Sequence, residues 1–108
     1  MSVIVTGDDV ALPTTLKKDG VTFNIDAGAT VKASLISVDR AAVYIAPVTL
    51  NNAATGADWS NSLLIIEFPS ASTELITDYQ PALIEIQVDD GGKLTWFVSV
   101  DIEKGTIE

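Results

Sequence analysis

The sequence predicts an all-β domain in which two antiparallel sheets form a sandwich. Apolar and polar residues alternate with a period of two along most of the chain, which is typical of half-buried strands. Clusters of Gly, Asp and Asn separate the alternating runs and supply turn chemistry. The runs are short, about seven or eight, and regularly spaced, which favours a sandwich of immunoglobulin-like type over a barrel.

The clearest alternation lies near the end of the chain, from Leu94 to Glu103. Its even-numbered positions carry Leu, Trp, Val or Ile, whereas its odd-numbered positions are polar, with the exception of Phe97. Because successive side chains of a strand point to opposite faces, we expect the even-numbered side chains in the core. Phe97 is then expected on the outer face.

Turn residues divide the chain into strands. The segment Asp89–Gly92 lies between two alternating runs and offers the positive φ angles of a hairpin, and Lys18–Gly20 does the same earlier in the chain. The predicted strands are Val3–Thr6, Val10–Leu16, Val21–Ile25, Thr30–Val38, Val43–Leu50, Ser62–Phe68, Leu83–Val88 and Leu94–Glu103.

One segment, Pro69–Thr77, departs from the strand pattern. It holds serines and threonines that can cap a helix, followed by Glu74 and an apolar pair, so we predict one helical turn that crosses between the two sheets. Neither a linker nor an internal repeat divides the sequence. Residues 1–108 are therefore predicted to form a single domain.

The residue types that the sequence lacks exclude several classes of chemistry. The 108 residues include no cysteine and no histidine, which removes thiolate and imidazole metal sites and the usual nucleophile–histidine pairs. The acidic pairs Asp8-Asp9 and Asp89-Asp90 could supply calcium ligands, but they lack the spacing of a calcium loop and suit turns. We expect no enzyme, no cofactor and no metal; a carboxylate pair for glycoside hydrolysis is the distant alternative.

Charge and hydropathy also limit the possible partners. The net charge is −9, from 15 acidic and 6 basic residues, and the basic residues are scattered, so we expect no binding to nucleic acid. The longest apolar run, Leu63–Ile66, is far too short to span a membrane. The N-terminus lacks the features of a signal peptide, so we expect a chain that is made and used without secretion.

Three aromatic residues are candidates for contact with a partner: Trp59, Phe97 and Tyr44. Trp59 lies in a polar loop, where it either covers the end of a sheet or anchors a partner. Phe97 and Tyr44 are large side chains expected on outer faces, where they invite a neighbouring protein.

Several sequence segments follow one another in a recognisable order. They are Val3–Asp9, the lysine-aspartate-glycine turn, Ile25–Leu35, Leu63–Leu75 and the closing hairpin Ala82–Val100. In this order they resemble the N-terminal β-sandwich domain of phage upper-baseplate proteins and related small tail proteins. The resemblance implies a structural component of the virion and supplies no catalytic residue.

From this resemblance we expect a bacteriophage virion structural protein, located in the tail, the baseplate or a fibre attachment. It would be made in the host cytoplasm and held in the virion by contacts with other virion proteins, as a homo-oligomer or in many copies. Members of the family usually continue into a long C-terminal part that binds a receptor, whereas this sequence stops at Glu108. Capsid decoration or a place at a head–tail junction is therefore an alternative expectation. A carbohydrate-binding module that uses Trp59 and Tyr44 is the alternative from another class.

Overall fold

The computed structural model describes residues 2–105, and most of this chain is β-structure, which confirms the predicted class. One short helix, α1, and one 3-10 turn complete the elements. The strands are β1 Ser2–Val5, β2 Val10–Thr15, β3 Lys17–Lys18, β4 Val21–Thr22, β5 Thr30–Ser37, β6 Val43–Thr49, β7 Leu63–Phe68, β8 Pro81–Asp89 and β9 Lys93–Glu103; α1 is Ser70–Thr73 and the 3-10 turn is Trp59–Asn61.

The strands form one large sheet and two small ones. The large sheet has five strands in the order β1-β9-β8-β5-β6, while β2 pairs with β7 and β3 pairs with β4. β1 runs parallel to β9, with Ser2 opposite Val100 and Val5 opposite Glu103, and every other pairing is antiparallel. The large sheet is therefore mixed, and the prediction of antiparallel pairing throughout was wrong. The pairing pattern defines a curled sheet with two strand pairs and not clearly a two-sheet sandwich.

The predicted hairpin turns have the backbone that their residues favour. Gly91 has φ 116° in the β8–β9 turn, and its N–H donates to Oδ1 of Asp89 over 3.2 Å. Asp19 and Gly20, between β3 and β4, have φ 54° and 81°. Glycine and aspartate tolerate this left-handed region better than most residues, so these turns fix the register of the flanking strands.

A single hydrophobic core joins the inner side of the large sheet to the β2–β7 pair. The even-numbered side chains of β9 face this core, as predicted: Val100 is fully buried, Ile102 is buried and Val98 packs against the cluster. Each large aliphatic side chain buried in this way stabilises the fold by about 1.5–3 kcal/mol. The other fully buried core residues include Ile4, Leu16, Val31, Leu35, Leu64, Ile66, Phe68, Ile84, Ile86 and Val88.

The single helical turn predicted within Pro69–Thr77 is present, but its cap comes from elsewhere. α1 begins after Pro69, and the N–H of Ser70 donates to Oδ1 of Asp9 over 2.7 Å. Thr73 is fully buried; its Oγ1 accepts the N–H of Gly7 and donates to the carbonyl oxygen of Asp8. The β1–β2 turn therefore holds the helix, and the local serines do not cap it.

Candidate protein-interaction surface

The large sheet has one side that points away from the core. Since paired residues in neighbouring strands share a face, the register of β5, β8 and β9 places their outward side chains in three rows. We call these residues the outer face; its rows are Ile36–Leu83–Ser99, Ser34–Glu85–Phe97 and Lys32–Gln87–Thr95.

Phe97 lies in the middle row of the outer face and is 39% exposed, on the side predicted for it. The guanidinium carbon of Arg40 lies 4.0 Å from the centroid of its ring, within the range of a cation–π contact. Arg40 belongs to the β5–β6 turn and has φ 63°, an uncommon angle for a residue other than glycine. Its place over Phe97 was not foreseen, because a contact between distant turns and strands leaves no local signal in the sequence.

The turn that carries Arg40 is fixed by its own hydrogen bonds. Oδ1 of Asp39 accepts the hydroxyl of Ser37 and, over 3.0 Å, the N–H of Ala41. These bonds, the Ser37 hydroxyl first, hold the pKa of Asp39 below its ordinary value. These bonds therefore favour the charged form of Asp39, which holds the turn in place beside the outer face.

An apolar row borders Phe97. Ile36, opposite Leu83, is only 6% exposed although it points away from the core. Val43 pairs with Ile36 and is 64% exposed. Val43, Ile36 and Leu83 thus form a continuous apolar strip across three strands, next to the Phe97–Arg40 contact. This strip leaves no local pattern in the sequence, because each of its residues lies in a different strand.

Tyr44 lies in β6, and its hydroxyl is already engaged. It donates to Oδ2 of Asp78 over 2.9 Å and accepts from Nε2 of Gln80 over 3.0 Å. The bond from Gln80 favours the phenolate, but desolvation and the Asp78 carboxylate outweigh it and raise the pKa of Tyr44 above its ordinary value. Tyr44 is half-buried, and its ring packs against the core cluster.

Trp59 belongs to the core. It opens the 3-10 turn, is 6% exposed, and its carbonyl oxygen accepts the N–H of Ile25 over 2.8 Å. Its buried indole N–H has no hydrogen-bond partner within residues 2–105. This position fits the alternative in which Trp59 covers the end of a sheet, and its contact with a partner stays a prediction.

The three aromatic candidates are not brought into one cluster. Among residues 2–105, the only close pair of aromatic rings joins Phe23 and Trp96, whose centroids are 5.0 Å apart and whose planes are tilted by 48°. Trp96 points inward, and its Nε1–H donates to the carbonyl oxygen of Lys17 over 2.8 Å. Of the three candidates, Phe97 alone combines substantial exposure with a defined neighbour on the outer face.

The acidic pairs serve the backbone around them. Asp9 caps α1 and Asp89 stabilises the β8–β9 turn. In the described part of the chain, no three acidic side chains lie together as a metal site would require, and no helix there is long and apolar enough to cross a membrane. Comparisons of the chain with protein-family models, with curated proteins and with solved structures find no match.

Proposed function

We propose that this chain is a non-catalytic binding module that works through protein–protein contacts made by its outer face. The observation that carries the proposal is Phe97, which is 39% exposed on an ordered sheet and stacked under Arg40. Aromatic and arginine side chains are enriched among the residues that contribute most to protein interfaces. A rigid sheet also offers such side chains at little cost in conformational entropy.

The surroundings of Phe97 support the same proposal. Val43 adds exposed apolar surface at one end of the strip Val43–Ile36–Leu83, whose middle residue, Ile36, is buried. Glu85, in the same row as Phe97, and Lys32, in the next row, add opposite charges around that surface. An apolar centre with a polar rim is the usual anatomy of a protein interface.

We further propose that the partner is another component of a bacteriophage virion, in the tail, the baseplate or a fibre attachment. This part of the proposal is supported by the order of strand and turn phrases in the sequence. Capsid decoration and a head–tail junction use the same kind of surface. A carbohydrate-binding module gains no support, because Trp59 is buried and offers no open ring face to a sugar.

We also propose that the strands of this domain are arranged in two layers, as in a sandwich. The large sheet supplies one layer and the β2–β7 pair supplies the other. This is supported by the single core cluster, in which Leu64 and Phe68 of β7 are grouped with Ile84 and Ile86 of β8. In such an arrangement the outer face is the side of the large sheet left for a partner.

The test is to look for the chain in purified virions of the virus that encodes it, by mass spectrometry after a density gradient. We expect to find it in many copies, and its absence from intact virions would overturn the virion assignment. Particles assembled with Phe97→Ala should carry less of the chain than those with Gln87→Ala, a control from the neighbouring row of the same face. Equal incorporation of both variants would exclude Phe97 as the residue that carries the contact.

A further inference from the structure

The inference concerns the edge of β9, and it rests on the proposed function, for which it names one partner. β1 covers only the end of β9, because its pairing begins at Ser2 opposite Val100. β9 itself begins at Lys93. The stretch Lys93–Ser99 is therefore bonded to β8 on one side and lacks a paired strand on the other within residues 2–105.

The direction of the backbone groups on this stretch follows from bonds near its end. The N–H of Ile102 donates toward β8, to the carbonyl oxygen of Gln80, whereas the carbonyl oxygen of Glu103 accepts the N–H of Thr6 on the β1 side. Since these directions alternate along an antiparallel strand, even-numbered residues of β9 bond to β8 and odd-numbered residues face the free side. Thr95 and Phe97 thus present their N–H and C=O groups to that side.

The free stretch has one of the features that usually protect a strand edge, the charged side chain of Lys93 at its start, and lacks the others. At the opposite edge of the sheet, β6 contains Pro47 and two shifts of register, which interrupt pairing with a further strand. β9 between Lys93 and Ser99 is regularly paired to β8, without a bulge and without proline. Its acidic residues, Asp101 and Glu103, lie only in the part that β1 covers. From Leu94 to Ser99 the edge is regular and carries no charge, and such an edge is a template for another strand.

We propose that this edge binds the same edge of a second copy of the chain, so that β9 pairs antiparallel with β9. The alternation of the backbone groups requires odd-numbered residues to lie opposite odd-numbered residues, and the symmetric register that pairs the whole free stretch places Thr95 opposite Phe97 of the second copy and Lys93 opposite Ser99. Each Thr–Phe pair joins a β-branched and an aromatic side chain on the outer face, a combination that stabilises cross-strand pairs. The two large sheets become one continuous sheet across the dimer.

The net charge of the chain opposes dimerisation at long range but not at the contact itself. The net charge is −9, so two copies repel each other at long range. The stretch Lys93–Ser99 contains one lysine and no acid, so the contact itself joins no like acidic groups. Salt screens the long-range repulsion, and we expect association to strengthen as the ionic strength rises.

Sedimentation of the whole chain over a range of concentration and salt tests the proposal, and we expect a monomer–dimer equilibrium. Thr95→Lys should weaken the dimer about tenfold or more, because it places added charge in the pairing surface. Gln87→Lys is the matched control: it makes the same charge change in the same row, on a strand that is already paired. Thr95→Pro, which removes a free-side N–H donor, should abolish the dimer, and circular dichroism would check that it folds.

The register has its own test because the chain has no cysteine. A mixture of Thr95→Cys and Phe97→Cys chains should form a disulfide between the two variants, since directly opposite residues have Cα atoms about 5.5 Å apart. Either variant alone should form much less. A monomer at all concentrations in high salt, or equal weakening by Thr95→Lys and Gln87→Lys, would overturn the pairing. If the parent chain failed these tests but was still found in virions, the self-pairing of β9 would be wrong and the proposed function would stand.

Discussion

Arg40 covers Phe97 from two strands away. The guanidinium carbon lies 4.0 Å from the ring centroid, although Arg40 belongs to the turn after β5 and Phe97 belongs to β9, on the far side of β8. The contact folds the β5–β6 turn over the outer face. It also shields one face of the aromatic ring from solvent.

The stabilisation from this contact can be measured with a double-mutant cycle of Arg40→Gln and Phe97→Leu. We expect a coupling energy of about 0.5–1 kcal/mol, the usual strength of an exposed cation–π contact. Chemical denaturation of the four proteins gives this energy, and additive effects would show that the two side chains act independently.

The register of β9 predicts opposite outcomes at two neighbouring positions. Val98 packs against the core, whereas Ser99 is exposed on the outer face. Val98→Asp buries an unpaired carboxylate and loses packing, which together consume a large part of a typical stability of about 5–15 kcal/mol. We expect it to abolish soluble expression while Ser99→Asp is tolerated; equal tolerance at both positions would contradict the register.

The sequence predicted the strands well because their alternation is local. β9 was predicted as Leu94–Glu103 and spans Lys93–Glu103, and the strand predicted as Thr30–Val38 spans Thr30–Ser37. The predicted strand Val21–Ile25 was too long, since β4 ends at Thr22. There the chain leaves the sheet, and Ile25 turns inward to bond the Trp59 carbonyl oxygen instead.

Other features could not be read from local patterns. Alternation reports which face of a strand is buried but not which strand lies beside it or in which direction, so the parallel pairing of β1 with β9 was missed. The cap of α1 comes from Asp9, far away in the chain, and this contact also leaves no local trace. At the candidate surface, the outward position of Phe97 was predictable, whereas its contact with Arg40 was not.

Thr73 connects α1 to the β1–β2 turn, and a change of one atom tests that connection. Thr73→Val keeps the shape but leaves the N–H of Gly7 and the carbonyl of Asp8 without this partner. We expect a loss of about 1–3 kcal/mol in the free energy of unfolding. Ser72→Ala is the control, because its hydroxyl makes no hydrogen bond within residues 2–105, and Thr73→Ser should retain most of the stability. Similar losses for Thr73→Val and Ser72→Ala would refute the specific role of Thr73.

The hydrogen bonds of the Asp58 carboxylate, beside the 3-10 turn, predict that the stability of the fold depends on pH. Its carboxylate accepts the side-chain N–H of Asn61 over 2.7 Å and the hydroxyl of Ser60 over 2.9 Å, and these bonds lower its pKa, Asn61 most strongly. A lowered pKa in the folded state means that the contribution to stability is present above the unfolded pKa and is lost as pH falls through the folded one. NMR titration of the carboxyl carbon should show the lowered pKa, and Asn61→Ala should return it toward its ordinary value. An unchanged pKa in that variant would assign the shift to another cause.

The parallel pairing of β1 with β9 has a mechanical consequence. Because the two strands run in the same direction, tension that pulls Ser2 and Glu103 apart along the strands acts along the length of their ladder and across its hydrogen bonds. All of these bonds then bear the load together, in shear, instead of opening one after another as in an unzipping hairpin. When the chain is pulled at these two strands, the hydrogen bonds between β1 and β9 must therefore break together before the rest of the large sheet can unfold.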